Sequence, residues 1–184
     1  MRQRAGLALV VVILTLAGCG GSAASPGTTL SPSASPFTSV AEGQFRLDFR
    51  LARLSWAAGD SITGDAALSS AGPSPVVLYG AGTGIIVFDY VEVGGERRAP
   101  AISTADCAPH AISAATPIVA PLGTTGGYDL SNPAGAWVEK LTGAGSIQLP
   151  PGTWDVTARA EFYEGVCGGP NDHLDATLRV HVGT

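Results

Sequence analysis

Two cysteine–histidine pairs have the residue types and the spacing that could bind a metal. Cys107 lies three positions before His110, and Cys167 lies six positions before His173. Thiolate sulfur and imidazole nitrogen are ligands that zinc and copper favour, so these four groups in one place would form a metal site. The same two cysteines could instead form a disulfide, which would leave no thiolate for a metal. The spacing leaves both alternatives open.

The third cysteine of the chain, Cys19, ends an apolar segment close to the N-terminus. Two arginines precede residues 5–16, which are almost entirely apolar, and the segment closes with Leu16-Ala17-Gly18-Cys19. A run of about 12 apolar residues is too short to cross a hydrocarbon core as a helix, which takes ~20 residues. The basic start and the short apolar run are typical of a signal peptide. The final tetrapeptide resembles the lipobox of bacterial lipoproteins.

The lipobox resemblance implies where the protein is located. It implies cleavage before Cys19, so that residues 1–18 are a lipoprotein signal peptide, and a thioether-linked diacylglycerol on Cys19. Lipoproteins of this family often carry a third, amide-linked chain such as palmitate. Two or more acyl chains anchor a protein stably, at about 0.8 kcal/mol per buried methylene. We therefore expect a cell-envelope protein that is held on the extracytoplasmic face of a bacterial membrane through lipid on Cys19.

Export through this pathway implies a disulfide between Cys107 and Cys167. Once Cys19 carries lipid, an even pair of thiols remains in an oxidising compartment, where such pairs usually bond. The bond would close a loop of about 60 residues and contribute about 4 kcal/mol from chain entropy. It would also exclude a thiolate–metal site, because both thiolates would be consumed.

The disulfide would also bring four polar residues near one another. They are Asp106, His110, Asp172 and His173. Two carboxylates and two imidazoles could hold a divalent ion. The simpler interpretation is that these are solvated loop residues, and we expect no bound metal or other cofactor.

The charge of the chain limits the classes of partner. When Arg2 and Arg4 leave with the signal peptide, eight basic and 15 acidic residues remain, which gives a net charge of −7. An acidic protein of this kind is a poor ligand for nucleic acid or for an anionic lipid surface. We expect no nucleic-acid partner and a monomeric protein.

Composition divides the chain after the signal peptide into a tether and a domain. Residues 19–42 are rich in Ser, Thr, Pro, Gly and Ala and offer little apolar surface to bury, which predicts a disordered tether. Residues 43–184 are long enough for one domain with its own core.

Strands must position the cysteines and histidines of that domain. Apolar residues occupy every second position in 154–162 and again in 174–182, which predicts strands with one buried and one solvated face. The alternation in 45–51 loses its phase afterwards, which predicts a bulge near residues 52–53. Residues 80–84, Gly-Ala-Gly-Thr-Gly, precede a strand pattern, so we expect a hairpin loop there and no phosphate-binding loop.

The segment 149–156, Leu-Pro-Pro-Gly-Thr-Trp-Asp-Val, resembles the start of a penultimate strand in bacterial immunoglobulin-like domains. It is similar in particular to the intracellular proteinase-inhibitor type of that fold. The resemblance implies an all-β fold, a single antiparallel immunoglobulin-like β-sandwich of about seven to nine strands. The resemblance concerns architecture alone and implies no inhibitor activity for this chain.

Known catalytic patterns are missing from the sequence. It contains no Gly-x-Ser-x-Gly and no His-Glu-x-x-His. We therefore predict a non-enzymatic binding or accessory module for an envelope protein or a glycan. The alternative is a lipoprotein that binds a small ligand or a divalent metal through the loops near the disulfide. The expected binding residues are Asp106, His110, Tyr128, Trp137, Asp172 and His173, although a packed role would also suit the two aromatic side chains.

Overall fold

The computed structural model of the protein describes residues 35–123, 141 and 146–184. The predicted signal peptide, Cys19, Tyr128 and Trp137 lie outside the described residues. Within the described ranges, β-strands make up nearly all of the regular structure, which confirms a β-rich fold. No helix in those ranges has the length and hydrophobicity needed to cross a membrane.

Eleven strands run through the described residues. In chain order they are β1 (Phe37–Glu42), β2 (Phe45–Leu51), β3 (Ser55–Trp56), β4 (Gly64–Ser70), β5 (Val76–Gly80), β6 (Ile86–Glu92), β7 (Arg98–Ala99), β8 (Ala108–Ile112), β9 (Ile118–Pro121), β10 (Gly152–Glu164) and β11 (Asn171–Val182). The predicted number of seven to nine strands is too low. Two of the eleven strands, β3 and β7, are only two residues long, which is too short to give an alternating pattern in the sequence.

The first sheet has four antiparallel strands in the order β1-β2-β4-β9. Its edge strand corrects the predicted limit of the tether, because residues 37–42 pair one by one with β2. The Ser39 hydroxyl donates to Asp48 across the pair at 2.7 Å, and Val40 packs against the core. The prediction that residues 19–42 are all disordered is therefore wrong for 37–42.

The second sheet has seven strands and is centred on the long hairpin of β10 and β11. Both β5 and β6 pair with β10, on the same side of it, with Tyr79 opposite Tyr163 and Ile86 opposite Ala160. They therefore form one interrupted line, from which residues 81–85 loop outward. The expected hairpin at residues 80–84 is wrong, because β5 and β6 run in the same direction and do not pair with each other.

The alternation of apolar residues loses its phase after β2 for a reason other than the predicted bulge. The chain leaves the four-stranded sheet after Leu51, and β3 joins the other sheet, where Ser55 and Trp56 pair in parallel with His181 and Val182. Leu51 and Trp56 are both buried because each belongs to a different sheet. The same pairing makes the second sheet mixed, so a purely antiparallel sandwich is also a wrong prediction.

The hydrophobic core lies between the two sheets. Phe45 contacts Phe162 edge-on with ring centroids 4.9 Å apart, and Phe49 lies 6.1 Å from Phe88. Each pair joins β2 to a strand of the other sheet. Trp154 and Phe162 are almost fully buried, as the alternation in β10 predicted.

Candidate functional site

A disulfide joins Cys107 to Cys167, as predicted from export. The Cα atoms are 6.2 Å apart, and the two cysteines are separated by 60 positions in sequence. Cys107 lies just before β8, and Cys167 lies in the turn between β10 and β11. The bond therefore ties a long irregular segment to the end of the central hairpin.

A cleft of about 520 Å³ lies beside this bond, and we call it the disulfide cleft. Val87, Glu161 and Tyr163 contribute to it from β6 and β10. These residues alternate with core residues along their strands, so they belong to the outer face of the seven-stranded sheet. The cleft thus lies on the side of the sheet that faces away from the core.

The segment between β7 and β8 covers one side of the disulfide cleft. The Ala101 N–H donates to the Asp89 carboxylate on the outer face of β6. Val87 belongs to the same face and is nevertheless only 2% exposed, so this part of the outer face is covered. Residues 103–107 continue along the cleft as far as the disulfide.

The loop 81–85 forms the facing wall and is held by polar contacts. His110 Nε2 lies 3.0 Å from the Ala81 carbonyl oxygen, and the hydroxyls of Thr83 and Thr104 are 3.2 Å apart. Thr104 donates its proton to Asp106, so it accepts from Thr83. The two walls are therefore connected by hydrogen bonds, whereas the disulfide ties residue 107 to the turn between β10 and β11.

Asp106 is the carboxylate that these walls hold in the cleft. The Thr104 hydroxyl and then the Gly82 N–H donate to it, and they lower its pKa below the ordinary value. A side chain at position 82 would collide with the Asp106 carboxylate, so this close approach requires glycine. Within the described ranges, Asp106 has no ion-pair partner.

Glu161 is the second carboxylate of the cleft and adjoins a ladder of charges. Its neighbour Arg159 makes a two-point contact with Asp175, at 2.8 and 3.2 Å, and lies 3.4 Å from Asp89. The bond to Asp175 is the largest cause of the raised pKa of Arg159. Glu161 approaches Arg159 only to 4.0 Å. One guanidinium thus serves three carboxylates, and the cleft stays negative.

The structure separates the four polar residues that the sequence grouped together. His173 lies opposite Glu161 on the outer face of the hairpin, whereas Asp172 lies opposite Phe162 on the inner side. Asp172 lines another cleft, of about 380 Å³, together with Glu42 and Phe45. The grouping failed because β11 already begins at Asn171, and neighbouring residues of a strand face opposite ways.

The four residues of the alternative divalent-ion site are therefore not assembled. In residues 35–123, 141 and 146–184, no group of three or more His, Cys, Asp and Glu side chains is placed to hold a metal. Of the predicted binding residues in this part of the chain, Asp106 lines the disulfide cleft and His110 supports its wall.

Sequence reasoning missed Glu161, Tyr163 and Asn171 as lining residues of the cleft. The alternation in residues 154–162 places Glu161 on the solvated face of its strand and indicates no further role for it. A usable signal was present, because Glu161 and Tyr163 are the last outward positions of β10 before the turn that contains Cys167. Outward-facing residues at the end of a strand, next to a predicted disulfide, are placed to line a cleft beside that disulfide.

No protein-family model matches this chain, and no curated protein matches it. Two carboxylates, of which Asp106 is held by hydrogen bonds, a carboxamide, several hydroxyls and an aromatic ring surround the cleft. Such a set can bind and orient a polar ligand through hydrogen bonds.

Proposed function

We propose that the protein is a lipid-anchored, extracytoplasmic binding module of a bacterial cell envelope. Its signal peptide would be residues 1–18, its anchor Cys19 and its tether the chain up to β1. The remaining β domain would be a variant of the immunoglobulin-like sandwich with a parallel edge strand. It would act without catalysis, as a monomer, on an envelope glycan or protein and not on nucleic acid.

The disulfide cleft is the observation that carries this proposal. The Cys107–Cys167 bond joins the two loops that flank the cleft, and structural disulfides are typical of exported domains. A volume of about 520 Å³ is in the range of ligand sites, roughly 300–1,000 Å³. Walls that are already fixed reduce the entropy lost when a ligand binds. These features favour binding over a purely structural role for the loops.

Membrane attachment is tested by metabolic labelling of the full chain with an alkyne analogue of palmitate in a bacterial host. We expect the label to be incorporated by the natural chain and lost in the Cys19→Ser variant, together with loss from the membrane fraction. Equal labelling of both chains would contradict lipidation of Cys19. A Cys107→Ser, Cys167→Ser variant is the control and should still be labelled.

Binding at the disulfide cleft is tested by filling it. Ala105 lines the cleft and is exposed, so Ala105→Trp would occupy the space without disturbing the core. In a co-sedimentation assay, we expect this variant to bind purified cell-envelope fragments with an affinity at least about tenfold lower than that of the natural chain. The matched control is Ala115→Trp, at an exposed position between β8 and β9. Equal retention of both variants would contradict a binding role for the cleft.

A further inference from the structure

We infer that the disulfide cleft binds a neutral, polyhydroxylated ligand, namely a segment of an uncharged glycan. This inference rests on the proposed function and names the class of ligand for the same site. It depends on three properties of the cleft: its hydrogen-bonding groups, its charge and its apolar surface.

The hydrogen-bonding groups suit a ligand that carries many hydroxyls. The carboxylates of Asp106 and Glu161 accept, the Asn171 carboxamide both donates and accepts, and Ser103 and Tyr163 contribute hydroxyls. A sugar hydroxyl also donates and accepts, so it can satisfy each of these groups. Bonds from hydroxyls to ionised carboxylates are about twice as strong as neutral hydrogen bonds.

The charge of the cleft argues against an anionic ligand. Of the described residues that line it, none is Lys, Arg or His. The nearest guanidinium, that of Arg159, is engaged by Asp175 and Asp89. A phosphate or carboxylate ligand would therefore face two like charges without a compensating cation, which is unfavourable in a partly enclosed space.

The surroundings of Asp106 argue against an organic cation. The carboxylate already receives bonds from Thr104 and Gly82, which keep it ionised without a positive partner. Its charge is therefore stabilised before any ligand arrives. The remaining lone pairs are suited to accept from neutral hydroxyl groups.

The apolar surface of the cleft suits the face of a sugar ring that presents C–H groups. Tyr163 lines the cleft from the end of β10 and supplies this surface, since Ile85 and Val87 also line the cleft but are each only 2% exposed. Sugar rings present C–H groups on one face, and these groups pack favourably on aromatic and aliphatic surfaces. A tyrosine offers both such a surface and a polar hydroxyl.

The test measures binding of four neutral tetrasaccharides to the full chain in mild detergent by calorimetry. The probes are the tetrasaccharides of cellulose, chitin, starch and mannan. We expect at least one to bind, and expect Asp106→Ala and Tyr163→Ala each to weaken it at least about tenfold. The matched controls are Asp65→Ala, on the outer face of the other sheet, and Phe37→Ala, an exposed aromatic side chain on β1 of that same sheet. They should change affinity less than about twofold.

A variant that loses affinity because it unfolds is recognised from its thermal transition. Asp106→Asn and Tyr163→Phe retain the shape of the cleft, and each should weaken the same tetrasaccharide by a smaller factor. Binding that is unaffected by the cleft variants would overturn the inference. So would binding of spermidine, sensitive to Asp106→Asn, in the absence of tetrasaccharide binding.

Failure of the ligand class and failure of the proposed function have different signatures. If Ala105→Trp releases the protein from envelope fragments but no tetrasaccharide binds, the cleft is a binding site and the glycan assignment is wrong. If Ala105→Trp leaves retention unchanged, the proposed function itself is wrong.

Discussion

Cys107 and Cys167 are 60 positions apart in sequence and bonded in the fold, and the loops that they join flank one cleft. The disulfide lies at the end of the β10–β11 hairpin, where Asp106 approaches Gly82 from the facing wall. Local contacts that shape the cleft thus depend on one long-range bond. This relationship links the stability of the domain to the geometry of its candidate site.

Removal of the disulfide should lower the stability of the domain. We expect Cys107→Ser, Cys167→Ser to reduce the free energy of unfolding by about 4 kcal/mol, because the unfolded chain regains the entropy of a 60-residue loop. Denaturant unfolding measures this difference. Adding a reductant should destabilise the natural chain to a similar extent and leave the double variant unchanged. A reductant effect on the double variant would show that the stabilisation has another source.

Gly82→Ala should disturb the Asp106 carboxylate specifically. The new side chain would collide with that carboxylate and separate it from the donors that stabilise its charge. The pKa of Asp106 should then rise toward its ordinary value, which a carboxyl NMR titration can follow. Gly183→Ala is the control, since a methyl group there would make only an ordinary contact, at 3.7 Å from the Trp56 carbonyl oxygen. An unchanged pKa of Asp106 in Gly82→Ala would contradict the described contact.

Acid should weaken the domain through Glu92. The Arg97 guanidinium donates to Glu92 and lowers the pKa of this carboxyl below its ordinary value of 4.5. A pKa that is lower in the folded state gives stability that is present above 4.5 and lost as the pH falls through the folded pKa. Glu92→Gln should therefore flatten the loss of stability at acidic pH. Thermal unfolding across that range measures it, and an identical pH dependence in both proteins would exclude this role.

Tyr90 should behave as a buried hydrogen-bond donor. Its hydroxyl donates to the Gly123 carbonyl oxygen at 2.6 Å, and burial raises its pKa far above the ordinary value. Tyr90→Phe should cost about 1 kcal/mol, because a partly buried acceptor loses its partner. A spectrophotometric titration counts the tyrosines that ionise as the pH is raised. Because Tyr90 should ionise only after the protein unfolds in alkali, Tyr90→Phe and the natural chain should show the same number of ionising tyrosines below that pH. A lost early ionisation would place Tyr90 in contact with solvent.

Local alternation was sufficient to predict the faces of β2, β10 and β11. In each of these strands, apolar residues recur at every second position, and the buried positions of the fold follow that phase. Trp154 and Phe162 were therefore recognised as core residues. The disulfide could be predicted as well, on the expectation that the chain is exported and that lipid on Cys19 leaves one pair of thiols.

Pairing between distant strands was not predictable from these patterns. The interrupted line of β5 and β6 exists because both pair with β10, and nothing within residues 80–86 indicates that partner. The change of sheet after Leu51 looked like a bulge for the same reason, since its cause is the contact of β3 with β11. Alternation shows which residues share a face but not which strand lies beside them.

The candidate site was only partly predictable because it depends on those distant pairings. Asp106 and the disulfide could be selected from the sequence, whereas Glu161 and Tyr163 matter only because residues 103–107 cross their face of the sheet. The sequence predicts that the disulfide brings His173 and Asp172 near each other. The early start of β11 places them on opposite faces instead.

The most direct test of the account is to map tetrasaccharide binding on the ¹⁵N-labelled full chain by NMR. We predict that the neutral tetrasaccharide shifts the amide signals of Gly82, Ala105, Asp106 and Tyr163, while signals from the four-stranded sheet stay in place. The natural chain and Ala105→Trp are compared, and the shifts should vanish in the variant. Shifts confined to other surfaces, or no shifts with any of the four probes, would contradict binding of a glycan at the disulfide cleft.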